Sequence, residues 1–593
     1  MMRLVRFFLE RPRATTALLL GAMVFMLFFQ LGARGLNEPD EGRYAEMGRE
    51  MLVTGDRMVP RLNGVPHYAK PPWIYWCIAA GLRVAGINEW GARLPSALAA
   101  SVTVFLVFAL GKQMAGVRAG LCSAAALSTM LLFFAAGRLI TPDMMLTAFV
   151  TLALGCFWRW RQTVRSAGAS LEAGRLWLLG FYLALGGAFL DKGPVGPAIV
   201  GLALLGFLAA TRDLRRLKEM RLLRGLILLA LLALPWFFLM VWLNRDLLDF
   251  YLRGEIQDRV MSGRGRAKAW YYFFLVLPIA CWPWTFLAIP ALRRHWSRWR
   301  VEGGATGEVS AFLLSWVALP LGMFTLSGSK LPTYILPLMP PIALMIGLWL
   351  AGDQGEAAPE IPARGVRIAT WIFLPALALA PWFVAHRVFS PPSPFWLAPF
   401  VAAAILTATG AVAVSRLAAP RRALARPVVW WLCAAVLLQG LIFLAARLES
   451  FLGHNSSWRS LIAAVPRERV VGVPISADLH PHAGSPVFSP RQGDLVAMYE
   501  FSFNSGSFTL MGARAEVVPR YGVDTLWEIA RDRDAAPRPG RAELIALLRG
   551  PRRVWLFTRA EYVEGLRRET GVPIAVIATA GTKKHGGVLM RTR

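Results

Sequence analysis

Apolar runs of roughly twenty residues, separated by short polar stretches, recur along most of this 593-residue chain. A run of that length makes an α-helix long enough to cross the hydrocarbon layer of a bilayer. The pattern predicts thirteen spans: 14–34, 91–111, 119–136, 141–158, 176–191, 193–211, 225–243, 270–291, 309–327, 332–350, 368–388, 393–415 and 427–446. The first is too long for the core of a signal peptide, and no small-residue cleavage site follows it, so it reads as a retained span. Residues 73–87 are short and read as a helix on the membrane surface. Beyond residue 448 the character changes. Short apolar runs such as RVVGVP, RVWLF and IAVI alternate there with helical stretches such as RAELIALLR. The predicted fold class is a polytopic α-helical membrane protein with a C-terminal extracytoplasmic α/β domain. Residues 1–448 form the transmembrane domain, 35–90 its first extracytoplasmic loop with surface helices, and 449–593 the α/β domain.

Composition agrees: 56% of residues are hydrophobic and only 17% charged. The net charge of +29 raises the question of nucleic acid. The cations do not gather on one soluble domain; they sit in short loops between apolar runs, as the positive-inside rule requires. Anionic lipid is their natural counter-charge, and nucleic acid is excluded as a partner. With the N-terminus and its Arg3, Arg6, Arg11 and Arg13 in the cytoplasm, the same side receives the basic loops around Arg159–Arg175, Arg212–Arg224, Arg293–Arg300 and Arg416–Arg426. The opposite side receives 37–72, GRLITPD, DKGP, the loop 244–268 and SGSKLPTY, so nearly every unusual polar motif falls on one face. The five cysteines lie in or beside apolar runs and form no CxxC pair, which argues against a disulfide framework or a thiolate metal site.

The segment 37–72 is dense in charge within a greasy chain, and carboxylates at a membrane boundary are costly unless they serve a function. Asp40 reads as a general base toward a hydroxyl, as an orienting charge for an acceptor phosphate, or as a cap in the acidic first turn of a helix, with Glu41 beside it as a substrate contact. Asp143, after Pro142 at the mouth of a span, complements a helix dipole or supplies a second acid. In HYAKPPW the prolines hold Tyr68 and Lys70 in extended backbone, so Lys70 suits a phosphate contact as well as snorkelling to headgroups. Lys330 and Tyr334 in SGSKLPTYILP fit interface anchoring or a phosphate bridge, and Lys192 shares their face. The basic loop 251–272, with Arg259, reads as a long loop exempt from the charge rule or as a flap over an anionic headgroup. Asp478, His480 and His482 in DLHPH are a weak metal candidate with no evident fourth ligand. No phosphate-binding glycine motif stands in a strand–helix context.

NEPDEGRYAEMGREML, HYAKPPWIYW, GRLITPDMMLTAF, FLDKGPVGP and SKLPTYILP together resemble the signature segments of the bacterial aminoarabinose lipid A transferase family. That family is related to the protein O-mannosyltransferases within the GT-C superfamily. The resemblance implies a glycosyltransferase of the inner membrane with its active site facing the periplasm. It would move 4-amino-4-deoxy-L-arabinose from undecaprenyl phosphate to a lipid A phosphate by inverting displacement. A monomer is the expected state. It implies Asp40 as essential carboxylate, Asp143 as second acid, and Lys70, Arg43, Lys330 and Tyr334 as carrier-phosphate ligands. It fixes no cofactor, a divalent metal remaining open. Ala69 departs from the family pattern, where an acidic residue is common, as does GEIQDRV, where a histidine is common. Two alternatives remain: a protein or other-glycan O-glycosyltransferase with the same donor class, and a lipid transporter. The transporter would place its polar groups near mid-membrane, whereas here they sit at one mouth.

Overall fold

The computed structural model describes residues 12–36, 40–62, 65–68, 70–165, 174–243, 245–249, 268–302, 304–352, 495–499, 520–521, 548–549, 554–580 and 587–591. Helix α1 (Pro12–Phe28) is followed by α2 (Asp40–Thr54), the strands β1 (Arg61–Leu62) and β2 (Val65–Pro66), α3 (Trp73–Ala85) and α4 (Glu89–Thr129). Next come α5 (Leu131–Ala136), α6 (Pro142–Arg165), α7 (Arg175–Lys192), α8 (Val195–Ala210) and α9 (Leu222–Leu243). Helices α10 (Tyr272–Ala280), α11 (Thr285–Ser297) and α12 (Gly304–Leu326) precede a 3-10 segment, Pro332–Leu338, and α13 (Met339–Ala351). The C-terminal region contributes β3 (Leu495–Tyr499), β4 (Arg520–Tyr521), β5 (Val554–Arg559), α14 (Ala560–Thr570), β6 (Ala575–Ala580) and β7 (Gly587–Arg591). The chain divides into two compact units, Met1–Phe29 with Ser96–Leu441, and Gln30–Pro95 with Ile442–Arg593.

Among the described residues, four helical stretches are long and apolar enough to cross a membrane: Glu89–Ser128, Leu222–Leu243, Gly304–Leu326 and Pro332–Ala351. A bent pair, α10 with α11, would make a fifth. This is a helical membrane protein with several apolar helices. The expected spans 368–388, 393–415 and 427–446 lie outside the described residues.

Three expected spans take a different form. The run 270–291 is not one helix but α10 and α11, bent by 108°. Pro283 sits in the break and has no amide hydrogen to continue a helical ladder. The run 119–136 is interrupted at Met130, whose extended backbone (φ −66°, ψ 129°) separates α4 from α5. The freed Leu131 amide instead donates to the Trp282 carbonyl at 2.9 Å. The run 332–350 begins as 3-10 helix, because Pro337, Pro340 and Pro341 remove amide donors in succession. Helix α4 itself breaks at Ala115 and Gly116, where Gly116 takes φ +88°. That break falls between the expected spans 91–111 and 119–136.

In the first unit, α6, α8 and α12 meet through aromatic rings. Trp158 lies 4.9 Å from Phe312 between centroids, and Phe207 lies 5.4 Å from Phe312. At one end of this packing the buried Arg161 binds Asp213 at 2.9 Å and Glu308 at 2.5 Å, and Arg165 also binds Glu308. Arg138 donates to the carbonyls of Met26 and Leu27, both at 3.0 Å, and so supplies donors that the C-terminal turn of α1 otherwise lacks.

In the second unit, α2 buries Tyr44, Ala45, Met47 and Met51. Its charged residues pair along the helix, Asp40 with Arg43 and Glu46 with Arg49. Gly48 permits the close approach of α3: a Cβ there would stand 2.4 Å from Ile78 Cγ2. The helix stops where Thr54 Oγ1 donates back to the Glu50 carbonyl and Gly55 takes φ +74°. In the C-terminal region the strands order as β4-β3-β5-β7-β6, with β3 parallel to β4 and β5, and β7 antiparallel to β5 and β6.

Candidate active site

Two charged clusters carry the residues singled out by the sequence, one in each compact unit. The first is built on α2 and the chain leading into α3. Asp40 opens α2, with its side chain 55% exposed, and accepts a hydrogen bond from Arg43 Nη2 at 2.6 Å. Arg43 is largely enclosed, and its guanidinium lies 5.2 Å from the centre of the Tyr44 ring. Its Nε is buried and has no hydrogen-bond partner among the described residues. Burial opposes charge on Arg43, but Tyr44, Asp40 and Tyr75 together more than offset it, so it holds its proton more tightly than usual. Tyr68 is buried and Lys70 half-buried.

His67 is 6% exposed, and burial first, then the charges of Arg43 and Lys70, push its pKa down to about 3. The charges of both Arg43 and Lys70 thus act on this buried imidazole. Glu41 takes a different course from Asp40. It is 2% exposed, and its Oε1 accepts from Arg93 Nε at 2.8 Å, while its Oε2 accepts from Arg93 Nη2 at 2.9 Å and Arg34 Nη2 at 3.2 Å.

The second cluster forms where α6, α7 and the 3-10 segment meet. Asp143 lies in the first turn of α6, 5% exposed, with Thr141 Oγ1 donating to its Oδ2 at 3.1 Å. Lys192, at the end of α7, donates to Asp143 Oδ1. The same ammonium lies 4.6 Å from the centre of the Tyr334 ring, a cation–π contact. Tyr334 in turn is 3.5 Å from Ser329 Oγ. Lys330 is 4% exposed and donates to the Ser327 carbonyl. GRLITPD, DKGP and SKLPTY, far apart in sequence, therefore share one neighbourhood.

Arg259, Ala69 and the DLHPH residues Asp478, His480 and His482 lie outside the described residues. Among the described residues, no group of three or more His, Cys, Asp or Glu side chains could hold a metal ion. Three residues given no role by the sequence emerge: Arg93 and Asp191, both fully buried, and His67. A lone arginine inside an apolar run (Arg93) and an acid before a helix-ending lysine (Asp191) were the available signals.

A family model described as dolichyl-phosphate-mannose-protein mannosyltransferase matches residues 69–242. An undecaprenyl phosphate-alpha-4-amino-4-deoxy-L-arabinose arabinosyl transferase of Edwardsiella ictaluri is 32% identical over 381 residues, covering 62% of this chain and 66% of the relative, just under two thirds of its length. The Pseudomonas paraeruginosa enzyme of the same name is 30% identical over 434 residues, covering 72% of this chain and 75% of the relative. The crystal structure of ArnT from Cupriavidus metallidurans bound to undecaprenyl phosphate superposes with a TM-score of 0.76 at 21% identity, over 98% of both chains. That likeness establishes an ArnT-like GT-C fold. The chain belongs to the undecaprenyl phosphate-aminoarabinose arabinosyl transferase family of polyprenyl-phosphate-sugar-dependent glycosyltransferases.

Proposed function

We propose that this protein transfers 4-amino-4-deoxy-L-arabinose from undecaprenyl phosphate to a phosphate of lipid A, on the periplasmic face of the inner membrane. One observation carries the assignment of roles. Arg43 pairs with an exposed carboxylate, Asp40, and keeps a donor unused among the described residues, while Arg43 and Lys70 both bear on the buried His67. Two fixed cations suit a lipid phosphate, both when it binds as a sugar phosphodiester and when it leaves as a dianion. In the transfer an acceptor oxygen attacks the anomeric carbon, and the bond from that carbon to the carrier-phosphate oxygen breaks. The leaving phosphate keeps the electron pair and needs charge neutralisation rather than a proton, which Arg43 and Lys70 supply.

Positive charge grows on the sugar ring as the bond breaks, and Asp40 stabilises it. A lipid A phosphate arrives ionised and needs no base, so with this acceptor Asp40 orients and stabilises. Asp143, held by Lys192, is the second acid of the reaction, and Lys330 and Tyr334 are further lipid-phosphate ligands. Residues 1–448 form the transmembrane catalytic domain and 449–593 a periplasmic α/β domain.

The match to a protein mannosyltransferase family supports a second reading, transfer to a protein hydroxyl from the same class of donor. There Asp40 would be the general base. Lipid A mass spectrometry from isogenic cells with and without the gene separates the two. Loss of the aminoarabinose-bearing species supports the first reading; unchanged lipid A with a lost glycoprotein supports the second. In purified protein, Asp40→Asn should lower transfer at least about 100-fold. Near-normal turnover in that variant would sink the assignment.

A further inference from the structure

Arg93 lies in the first turns of α4, 52 residues from Glu41, with its side chain 1% exposed. Its guanidinium has five N–H donors and spends each one. Nε donates to Glu41 Oε1 at 2.8 Å, and Nη2 donates to Glu41 Oε2 at 2.9 Å and to the Gly35 carbonyl at 2.6 Å. Nη1 donates to the carbonyls of Leu31 at 3.0 Å and Arg34 at 2.6 Å. One side chain thus grips three carbonyls between Leu31 and Gly35, and also the second residue of α2. Asp40 is the residue immediately before Glu41; its carboxylate is exposed, and among the described residues it is bound along α2, by Arg43.

We infer that Arg93 is a positioning residue for the transfer reaction: acting through Glu41, it fixes the start of α2 and so the direction in which Asp40 presents its carboxylate. The inference rests on the reading of Asp40 as the catalytic carboxylate. The chemistry of the clamp explains the choice of residue. Only a guanidinium has the planar fork that binds a carboxylate with two donors while keeping others for backbone carbonyls. A lysine at this place keeps the charge but has three donors on a flexible stem and cannot span the same acceptors. A shift of about 1 Å in a reacting group costs roughly 100-fold in rate, so a loosened clamp is visible in turnover before it is visible in binding. On the proposed reading Arg43 and Lys70 hold the carrier phosphate, whereas Arg93 acts on the carboxylate that meets the sugar.

The test measures kcat and KM for an undecaprenyl-phosphate-linked aminoarabinose donor, with lipid A as acceptor. It uses full-length protein purified as a monodisperse detergent complex and normalised to folded molecules. The variants are Asp40→Asn, Arg93→Lys, Glu41→Gln and the Arg93→Lys/Glu41→Gln double. Positioning predicts that Arg93→Lys and Glu41→Gln each lower kcat by tenfold or more with the donor KM within about twofold of wild type. It also predicts that the double variant is hardly worse than either single, because both remove one coupling. A merely structural Arg93 would lower the yield of folded protein and leave kcat per folded molecule unchanged, which would overturn the inference. If Arg93→Lys does not fold, Glu41→Gln, nearly isosteric, decides by the same kcat criterion. An active Asp40→Asn overturns the Asp40 reading itself. An inactive Asp40→Asn with full kcat in Glu41→Gln and Arg93→Lys overturns only the positioning role.

Discussion

Asp40 and Asp143 both open a helix, and the two helix starts treat their carboxylates in opposite ways. Asp40 is 55% exposed, and its cationic partner among the described residues, Arg43, comes from the next turn of the same helix. Asp143 is enclosed and tied to Lys192 on a different helix, and that lysine is itself held against the Tyr334 ring. An exposed carboxylate with a local partner is available to a substrate and contributes little to the fold. An enclosed one with a distant partner stitches α6 to α7 and becomes available only when its lysine turns to something else, such as a bound phosphate. The contrast separates a group whose loss is felt in chemistry from one whose loss is felt in folding as well.

The largest expected effect on stability therefore lies at the second cluster. Lys192→Met leaves the Asp143 carboxylate enclosed without its cation, and breaking a buried pair in this way costs about 3–5 kcal/mol. Chemical unfolding in mixed micelles should show that loss. The Asp143→Asn/Lys192→Met double variant should recover most of it, because no charge is then stranded. A Lys192→Met protein as stable as wild type would erase the distinction between the two carboxylates.

The two clusters also differ in how far the sequence announces them. Charge counting alone puts GRLITPD, DKGP and SKLPTY on one face, and Asp143, Lys192 and Tyr334 do meet. Helical periodicity places Asp40 in the first turn of a helix, where it stands. Glu41 stands next to Asp40 in the chain, but a helix turns about 100° per residue, so the two adjacent side chains face different surroundings. Its partner Arg93 lies 52 residues away, and no local pattern encodes that pairing. The break in 270–291 escaped for a related reason: hydropathy records how apolar a run is, not whether its amides can form a continuous ladder.

A smaller effect separates the clusters by pH, because His67 lies beside Arg43 and Lys70. Its folded pKa, about 3, is below the unfolded value of 6.5, so between those values the unfolded chain binds the extra proton. Stability from this site is complete above pH 6.5 and is lost as pH falls through that window. By pH 5 the loss is about 2 kcal/mol. His67→Gln should flatten the fall in unfolding free energy between pH 7 and pH 5. An equally steep fall in the variant would assign the acid sensitivity to other groups.

The smallest expected change is the most diagnostic, because it is a near-zero effect beside a large one. Exposed ion pairs are worth about 0–1 kcal/mol, since water and salt screen them and ordering two side chains costs entropy. Asp40→Asn keeps the shape of the side chain and a hydrogen-bond acceptor for the first turn of α2, so its unfolding free energy should stay within about 1 kcal/mol of wild type. The same variant is expected to lose transfer activity. Stability retained with turnover lost would mark Asp40 as a group kept for chemistry, in contrast to Asp143, whose enclosed pairing with Lys192 also ties α6 to α7. A destabilisation of Asp40→Asn as large as that of Lys192→Met would instead mean that both carboxylates are fastenings of the fold, and the catalytic carboxylate would have to be sought elsewhere.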